Sequence, residues 1–287
     1  MKLLSSGDET GYDLIGDIHG QSVELINLLQ KLSYKDVNGV WQHPERKVIF
    51  LGDFIDAGSR QKEVIDIVRP MVENQHAYAV MGNHEYNAIA YYTKDADGNH
   101  LRPHSENKSF QHEKFLQAYE HNPTEYRSVI EWFQTIPLWI ELENIRVVHA
   151  CWDEDAIAHL KSLQLGSNLL GSELLHASSI KNTPEHHAVT TILKGKKEPL
   201  PNGESFIDSY GKTRTKTRTE WWKSYPENEI PVFFGHYWMK DDIKLLSSNI
   251  ACIDYSVARH GGCLVAYRWD GEKILDNDKF AFVERMS

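Results

Sequence analysis

Cysteine is scarce in this chain: Cys151, Cys252 and Cys263 are the only three in 287 residues, an odd number without paired spacing. A disulfide-stapled scaffold is excluded, and the thiols read as small core residues in a reduced, cytoplasmic setting, with a Cys252–Cys263 bridge as the minor alternative. Long apolar runs are missing too. None approaches the roughly 20 residues that span a bilayer, so no membrane partner is expected. Residues 1–8 hold one Lys and a two-Leu stretch, too short for a signal-peptide core. Positive charge is in deficit: 31 basic against 41 acidic residues give a net charge of -10. That argues against a broad surface for nucleic-acid backbones while leaving room for a local basic pocket. Internal repeats, low-complexity tracts and a linker are absent, as is a Gly-x-Ser-x-Gly nucleophile motif. One domain over residues 1–287 is expected.

An apolar fraction of 41% and a charged fraction of 25% are ordinary for a soluble globular protein. The first ninety residues alternate strand and helix. Apolar runs at 12–15, 48–51 and 77–81 predict strands, and amphipathic spacing predicts helices over 22–31, over 62–69 and after Glu85. Continuous apolar strands alternating with helices imply an α/β protein with a sheet covered by helices. Asn38-Gly39 and His43-Pro44 punctuate a hairpin-like excursion. The chain turns polar over 93–122, read as an insertion lying over the site with a helix at 111–119. A helix at 125–134, two strands around the turn at Glu143-Asn144 and helical segments over 153–194 follow. A second polar insertion covers 195–218. Residues 232–234, 250–253 and 263–268 close the chain as strands.

Three short strings follow the first three strands: Gly16-Asp17-Ile18-His19-Gly20, Gly52-Asp53-Phe54-Ile55-Asp56-Ala57-Gly58 and Gly82-Asn83-His84-Glu85. Asp17 and His19 are two apart on extended chain, so their side chains leave the same face. Carboxylate and imidazole donors together suit Mn, Fe or Zn better than Ca or Mg. Asp53 has two oxygens with which to bridge two ions, and Asn83 offers a neutral amide oxygen. His149 and His236 each follow a strongly apolar strand. The expected set is Asp17, His19 and Asp53 on one ion, with Asp53, Asn83, His149 and His236 on the other. Two divalent ions about 3.5–4 Å apart hold a hydroxide and polarise the phosphoryl oxygens of an in-line displacement. His84, beside Asn83, is the expected general acid for the leaving alcohol, and Asp56 the carboxylate that orients and charges it. A single histidine at a strand end is more often a structural residue, and a single Asp often caps a helix. Six such positions, each after a strand, point instead to a site.

The three strings resemble the signature of the calcineurin-like metallophosphoesterase superfamily, and within it the phosphoprotein phosphatase branch with its bacterial members and the symmetrical diadenosine tetraphosphatases. His149 before Ala150, His236 after Gly235, and Ile253-Asp254 followed by Gly261-Gly262 resemble its later motifs. The resemblance implies a four-layer fold, a central β-sandwich of two mixed sheets flanked by helices, with a dinuclear site at the carboxyl ends of the strands. It also implies the ligand and dyad roles already read from the residues.

One position departs from that pattern. Ala57 stands where the family usually has an Arg that grips substrate phosphate, a charge-assisted and geometrically specific contact. Arg60, Arg214 and Arg218 are the expected substitutes, with Lys194 as a further candidate; the basic stretch 212–218 reads either as a solvated hairpin or as a phosphate-gripping loop. Trp221-Trp222 and Tyr91-Tyr92 read as core packing, or as a stacking surface for a base or a phosphotyrosine ring. His112, His186 and His187 read as surface residues. The leading function is a metal-dependent phosphomonoesterase acting on phosphorylated protein side chains, and the alternative is a dinucleoside polyphosphate hydrolase. A non-enzymatic scaffold and a nucleic-acid phosphatase stand well behind. Mn is the expected metal, with Fe and Zn served by the same ligands.

Overall fold

The computed structural model describes residues 11–163, 167–207 and 213–286. Its first half runs β1 (Gly11–Ile15), α1 (Ser22–Lys31), β2 (Lys35–Val37), β3 (Val40–Gln42), β4 (Arg46–Phe50), α2 (Gln61–Glu73), β5 (Ala77–Ala79) and α3 (Asn83–Tyr92). Then come α4 (Glu106–Gln111), α5 (Glu113–Tyr119), α6 (Pro123–Phe133), β6 (Trp139–Glu141), β7 (Arg146–Val148), α7 (Glu154–Leu163), α8 (Ser172–Ser179) and α9 (Pro184–Lys194). Short strands β8 (Lys197–Pro199), β9 (Phe206–Ile207), β10 (Thr213–Arg214) and β11 (Lys216–Arg218) follow. The chain closes through β12 (Val232–Phe234), β13 (Ile250–Cys252), β14 (Asp254–Tyr255), β15 (Cys263–Trp269) and β16 (Phe280–Glu284).

Side-chain alternation along the strands builds two apolar layers. In β1, Tyr12 and Leu14 join one buried cluster and Ile15 another; in β4, Ile49 joins the first, with Val48 and Phe50 in the second. Val147 of β7 and Phe233 of β12 enter the first cluster, while Val148, Val232 and Phe234 enter the second. The first cluster therefore lies between two sheets, and the second lies on their outer faces under the helices. One sheet has the order β14-β15-β1-β4-β5, with β16 also on β15, and the other the order β13-β12-β7-β6. Both are mixed: β1, β4 and β5 are parallel neighbours, as are β7, β12 and β13, whereas β15 and β6 run antiparallel to theirs. Helices α1 and α2 cover the first sheet. On the second, Trp221 and Trp222 pack against Phe234 with ring centres 4.9 and 5.4 Å apart, so this pair is core and not a stacking surface. The expected sandwich flanked by helices is the observed fold. No helix among the described residues is long and apolar enough to cross a membrane, and all three cysteines are free.

Local boundaries differ from expectation where polar chemistry, invisible to apolar periodicity, sets them. Strand β5 stops at Ala79, and α3 starts at Asn83 because Gly82 serves as its N-cap and the Glu85 side chain reaches back to the Gly82 N–H at 3.0 Å. The helix expected at 111–119 is broken at His112 into α4 and α5. The basic stretch is not one hairpin: Arg214 lies on β10 against β9, and 216–218 form β11 against β8. Lys212 and its part of that expectation lie outside the described residues.

The central strand is tied to both neighbours by one buried carboxylate. Asp13 of β1 accepts from Arg46 Nε of β4 at 3.1 Å, from Arg268 Nε of β15 at 3.1 Å and from the Tyr34 hydroxyl at 3.0 Å. Breaking a buried ion pair from one side leaves the partner charge unpaired, at a cost of about 3–5 kcal/mol. Asp13→Leu is expected to lower the unfolding free energy by about 3 kcal/mol in urea titration; a loss below about 1 kcal/mol would show the cluster to be solvated instead.

Candidate metal centre

Parallel neighbours open their carboxyl-end loops on one edge. Loops after β1 and β4 carry Asp17 and His19, and Asp53 and Asp56, and the start of α3 after β5 carries Asn83 and His84. Beside them, β7 and β12 deliver His149 and His236. Backbone bonds lock the loops together: Ile18 and His19 N–H groups donate to the Asp53 carbonyl at 3.1 and 2.8 Å, and Gly235 N–H to the His149 carbonyl at 2.8 Å. The loops are tight enough to force non-glycine residues into the left-handed region, with φ of 50° at His19, 53° at Asp53, 68° at Asp56, 56° at Ala57 and 68° at His236. Each such residue costs on the order of 1 kcal/mol. At Gly82 only glycine fits, since a Cβ there would run into the Asp53 backbone N and Oδ1.

Ring orientation is set from behind. His19 Nδ1 lies 3.0 Å from the Ile55 carbonyl and His149 Nδ1 lies 2.7 Å from the Leu51 carbonyl. A carbonyl only accepts, so each Nδ1 carries the hydrogen and each Nε2 presents a lone pair to the centre. His149 Nε2 lies 3.3 Å from Asp53 Oδ2, His19 Nε2 lies 3.7 Å from the same oxygen and 4.0 Å from Asp17 Oδ2, and His84 Nε2 lies 3.8 Å from Asp53 Oδ2. Two donor groups result, His19 with Asp53 and His84, and Asp53 with His149 and His236, the donor atoms of each within 4.8 Å of one another. Asp53 belongs to both. Asp17 lies alongside the first, and Asn83 opens the helix that carries His84.

This donor set fits divalent cations. Asn83 Oδ1 and His149 Nε2 are buried without a hydrogen-bond partner, which native interiors rarely tolerate. Burial, then Asp254 and Asp53, push the Asp17 carboxyl well above the ordinary range. Burial would raise Asp53 too, but His149, His84 and His19 hold it well below that range. Burial, joined by Arg218 and His149, keeps His236 well below the usual imidazole value, leaving its lone pair for a cation.

Next to these groups stands the expected dyad, with His84 Nδ1 2.5 Å from Asp56 Oδ2. Burial works against the charged ring, but Asp53 and the bond to Asp56 raise His84 to about 9. Of the expected phosphate-gripping arginines, Arg218 comes nearest: its Nη1 donates to the His236 carbonyl at 2.8 Å, and Asp254, Asp17 and Asp53 act on its charge. Arg60 is exposed and paired with Glu63 at 3.0 Å, and Arg214 is exposed.

The sequence profile described as calcineurin-like phosphoesterase matches residues 12–260. The chain belongs to the calcineurin-like phosphoesterase family. Among curated relatives, a protein of Oceanobacillus iheyensis named bis(5'-nucleosyl)-tetraphosphatase PrpE [asymmetrical] is 33% identical over 140 residues, 48% of this chain and 54% of its own length. The protein of that name in Halalkalibacterium halodurans is 43% identical over 74 residues, 25% of this chain and 30% of its own. The chain thus spans about half or less of the curated relatives it matches. Among solved structures, a Saccharomyces cerevisiae protein serine/threonine phosphatase superposes with a TM-score of 0.57 at 14% identity, over 99% of this chain and 82% of that one. A cold-active protein-tyrosine phosphatase of a psychrophilic Shewanella does so with 0.52 at 17%, over 95% and 84%. These likenesses establish the fold.

As a calcineurin-like phosphoesterase the protein carries a residue that sequence reading assigned to the surface. His112 is buried, and its Nδ1 lies 2.9 Å from Asp56 Oδ1. Asp56 is therefore held by two imidazoles; burial raises its carboxyl, and the bonds from His112 and His84 bring it down to about 2. Helical spacing to Phe115 and Tyr119, both buried, was the available signal, since it places His112 on the inward face. If His112 fixes the Asp56 carboxylate for His84, His112→Ala should lower kcat on an alkyl phosphate about tenfold at unchanged KM, and His112→Asn, which keeps a donor, should recover most of it. Equal kcat in all three proteins would remove His112 from the dyad.

Proposed function

We propose that this protein is a dinuclear-metal-dependent phosphoester hydrolase in which Asp17, His19 and Asp53 hold one ion and Asp53, Asn83, His149 and His236 the other. Its general acid is His84, oriented by Asp56. The reading is carried by one juxtaposition: of two donor groups sharing Asp53, one contains an imidazole, His84, whose Nδ1 lies 2.5 Å from a second buried carboxylate, Asp56. When bound, such ions supply Lewis-acid polarisation of the phosphoryl oxygens. Nitrogen and oxygen donors without sulfur support Mn, with Fe and Zn as the alternatives. Three free thiols support a reducing, cytoplasmic setting.

The chain's own groups do the rest. Asp56 takes the His84 Nδ1–H, so the proton for the departing oxygen sits on Nε2, the nitrogen that faces Asp53 Oδ2. Left-handed loop backbone and the bond from the Asp53 N–H to Glu85 Oε2 at 2.8 Å keep these groups from relaxing away, which is the preorganisation that charge stabilisation needs. Substrates fall into two classes: phosphorylated side chains of proteins, and dinucleoside polyphosphates. The name carried by the curated relatives favours the second specifically.

Two outcomes are expected. Mn at about 100 times its Kd should stabilise the protein by about 2.7 kcal/mol in thermal unfolding, and Asp53→Asn should abolish most of that gain; no shift in the unsubstituted protein would sink the metal assignment. His84→Asn should cut kcat on alkyl phosphates by about 10²–10⁴ with metal content unchanged, and undiminished turnover would remove His84 as the acid.

A further inference from the structure

Asn83 and His84 open α3, and Asn87 stands one turn further along the face they share. Its Oδ1 accepts from Arg102 Nη1 at 3.1 Å and from Lys194 Nζ at 3.5 Å. Two cations from distant stretches, the polar segment after α3 and the end of α9, thus meet on one neutral amide oxygen. The other Arg102 side-chain bond goes to Gln111 Oε1 at 3.0 Å, again neutral, and Lys194 Nζ otherwise lies over the Tyr86 ring at 5.7 Å. Neither forms an ion pair with a carboxylate among the described residues. The acidic groups acting on them belong to the centre: Asp56 on Arg102 and Asp53 on Lys194. Burial, then Arg102 and Lys197, push the Lys194 ammonium down to about 8, a measure of how poorly it is compensated.

Holding two half-buried like charges together costs free energy, and a multiply charged anion is the chemistry that offsets it. The position says which part of a substrate that anion belongs to. His84 protonates the departing oxygen, and Asn87 lies beyond His84 on the same face, so the cations stand on the leaving-group side. An alkyl or aryl leaving group carries no phosphate there, whereas a phosphoanhydride does. We propose that Arg102 and Lys194, set on Asn87, form a subsite for a second phosphate on the leaving-group side, which makes phosphoanhydrides the preferred substrates. This rests on the reading of His84 as general acid.

In the reaction, a water oxygen bonds to the attacked phosphorus and the bridging P–O bond breaks. The bridging oxygen leaves on the second phosphate with the His84 proton, and the proton lost by water passes to solvent as His84 is recharged. Arg102 and Lys194 hold the departing phosphate throughout. They supply positive charge to the substrate from two stretches of chain other than the one in which Ala57 stands.

The test compares kcat/KM for diadenosine tetraphosphate and for p-nitrophenyl phosphate, with Mn supplied, in the unsubstituted protein and in Arg102→Gln, Lys194→Gln and Lys194→Arg. The expected result is a fall of about 10–100-fold in the ratio of the two for each Gln variant, mostly through KM, with Lys194→Arg restoring it. A ratio that stays constant in both Gln variants overturns the subsite. So does an unsubstituted protein that cleaves the monoester but not the anhydride, an outcome that leaves the hydrolase reading standing. Cleavage of neither substrate by the Mn-loaded protein overturns the hydrolase reading itself.

Discussion

Glu85, with no exposed surface, accepts the backbone N–H groups of Asp53 and Phe54, both at 2.8 Å, and of Gly82 at 3.0 Å. Those bonds set the distance between the loop that presents Asp53 and Asp56 and the helix that presents Asn83 and His84. Three donors compensate the carboxylate, yet burial and the nearby Asp53 charge still raise it to about 7. Gly82 is part of the same constraint, because the close approach that lets Glu85 reach both segments leaves no space for a Cβ. The Asp53 main chain is bound on its other side by Ile18 and His19, so three motif loops share one rigid seam.

That seam concentrates cost. Buried acidic groups crowd around Asp17, Asp53 and Asp254, and several loop residues sit in left-handed backbone. A fold tolerates such a spot when something else offsets it. Here the sandwich supplies the offset in packing: strands buried on both faces fill two apolar clusters. Divalent cations would relieve the electrostatic part directly, since the same carboxylates that repel one another would share a counter-charge.

The acidic net charge hides an organised minority of cations. Arg218 reaches the His236 carbonyl, while Arg102 and Lys194 converge on Asn87. Arg218 and Arg102 come from the two polar segments that apolar periodicity leaves largely unassigned, and Lys194 from the end of α9. Lys114, which donates to the Ala57 carbonyl, and His112 come from the first of them, so that stretch both braces the dyad and shapes its surroundings.

The sequence by itself determined the strand-then-motif units, because each is local: an apolar run, a glycine turn and a metal-binding residue type within a few positions. Asp17, His19, Asp53, Asn83, His84, His149 and His236 could be read that way, and parallel strands necessarily bring such ends to one edge. Only the tertiary structure decided which side chains of those strands face which layer, since a continuous apolar run carries no visible alternation. It alone joined His112, at a helix break, to Asp56, 56 positions away in the chain, and brought Arg102 and Lys194 onto one oxygen. Such meetings depend on loop paths set by packing across the whole chain, and no short-range pattern records them.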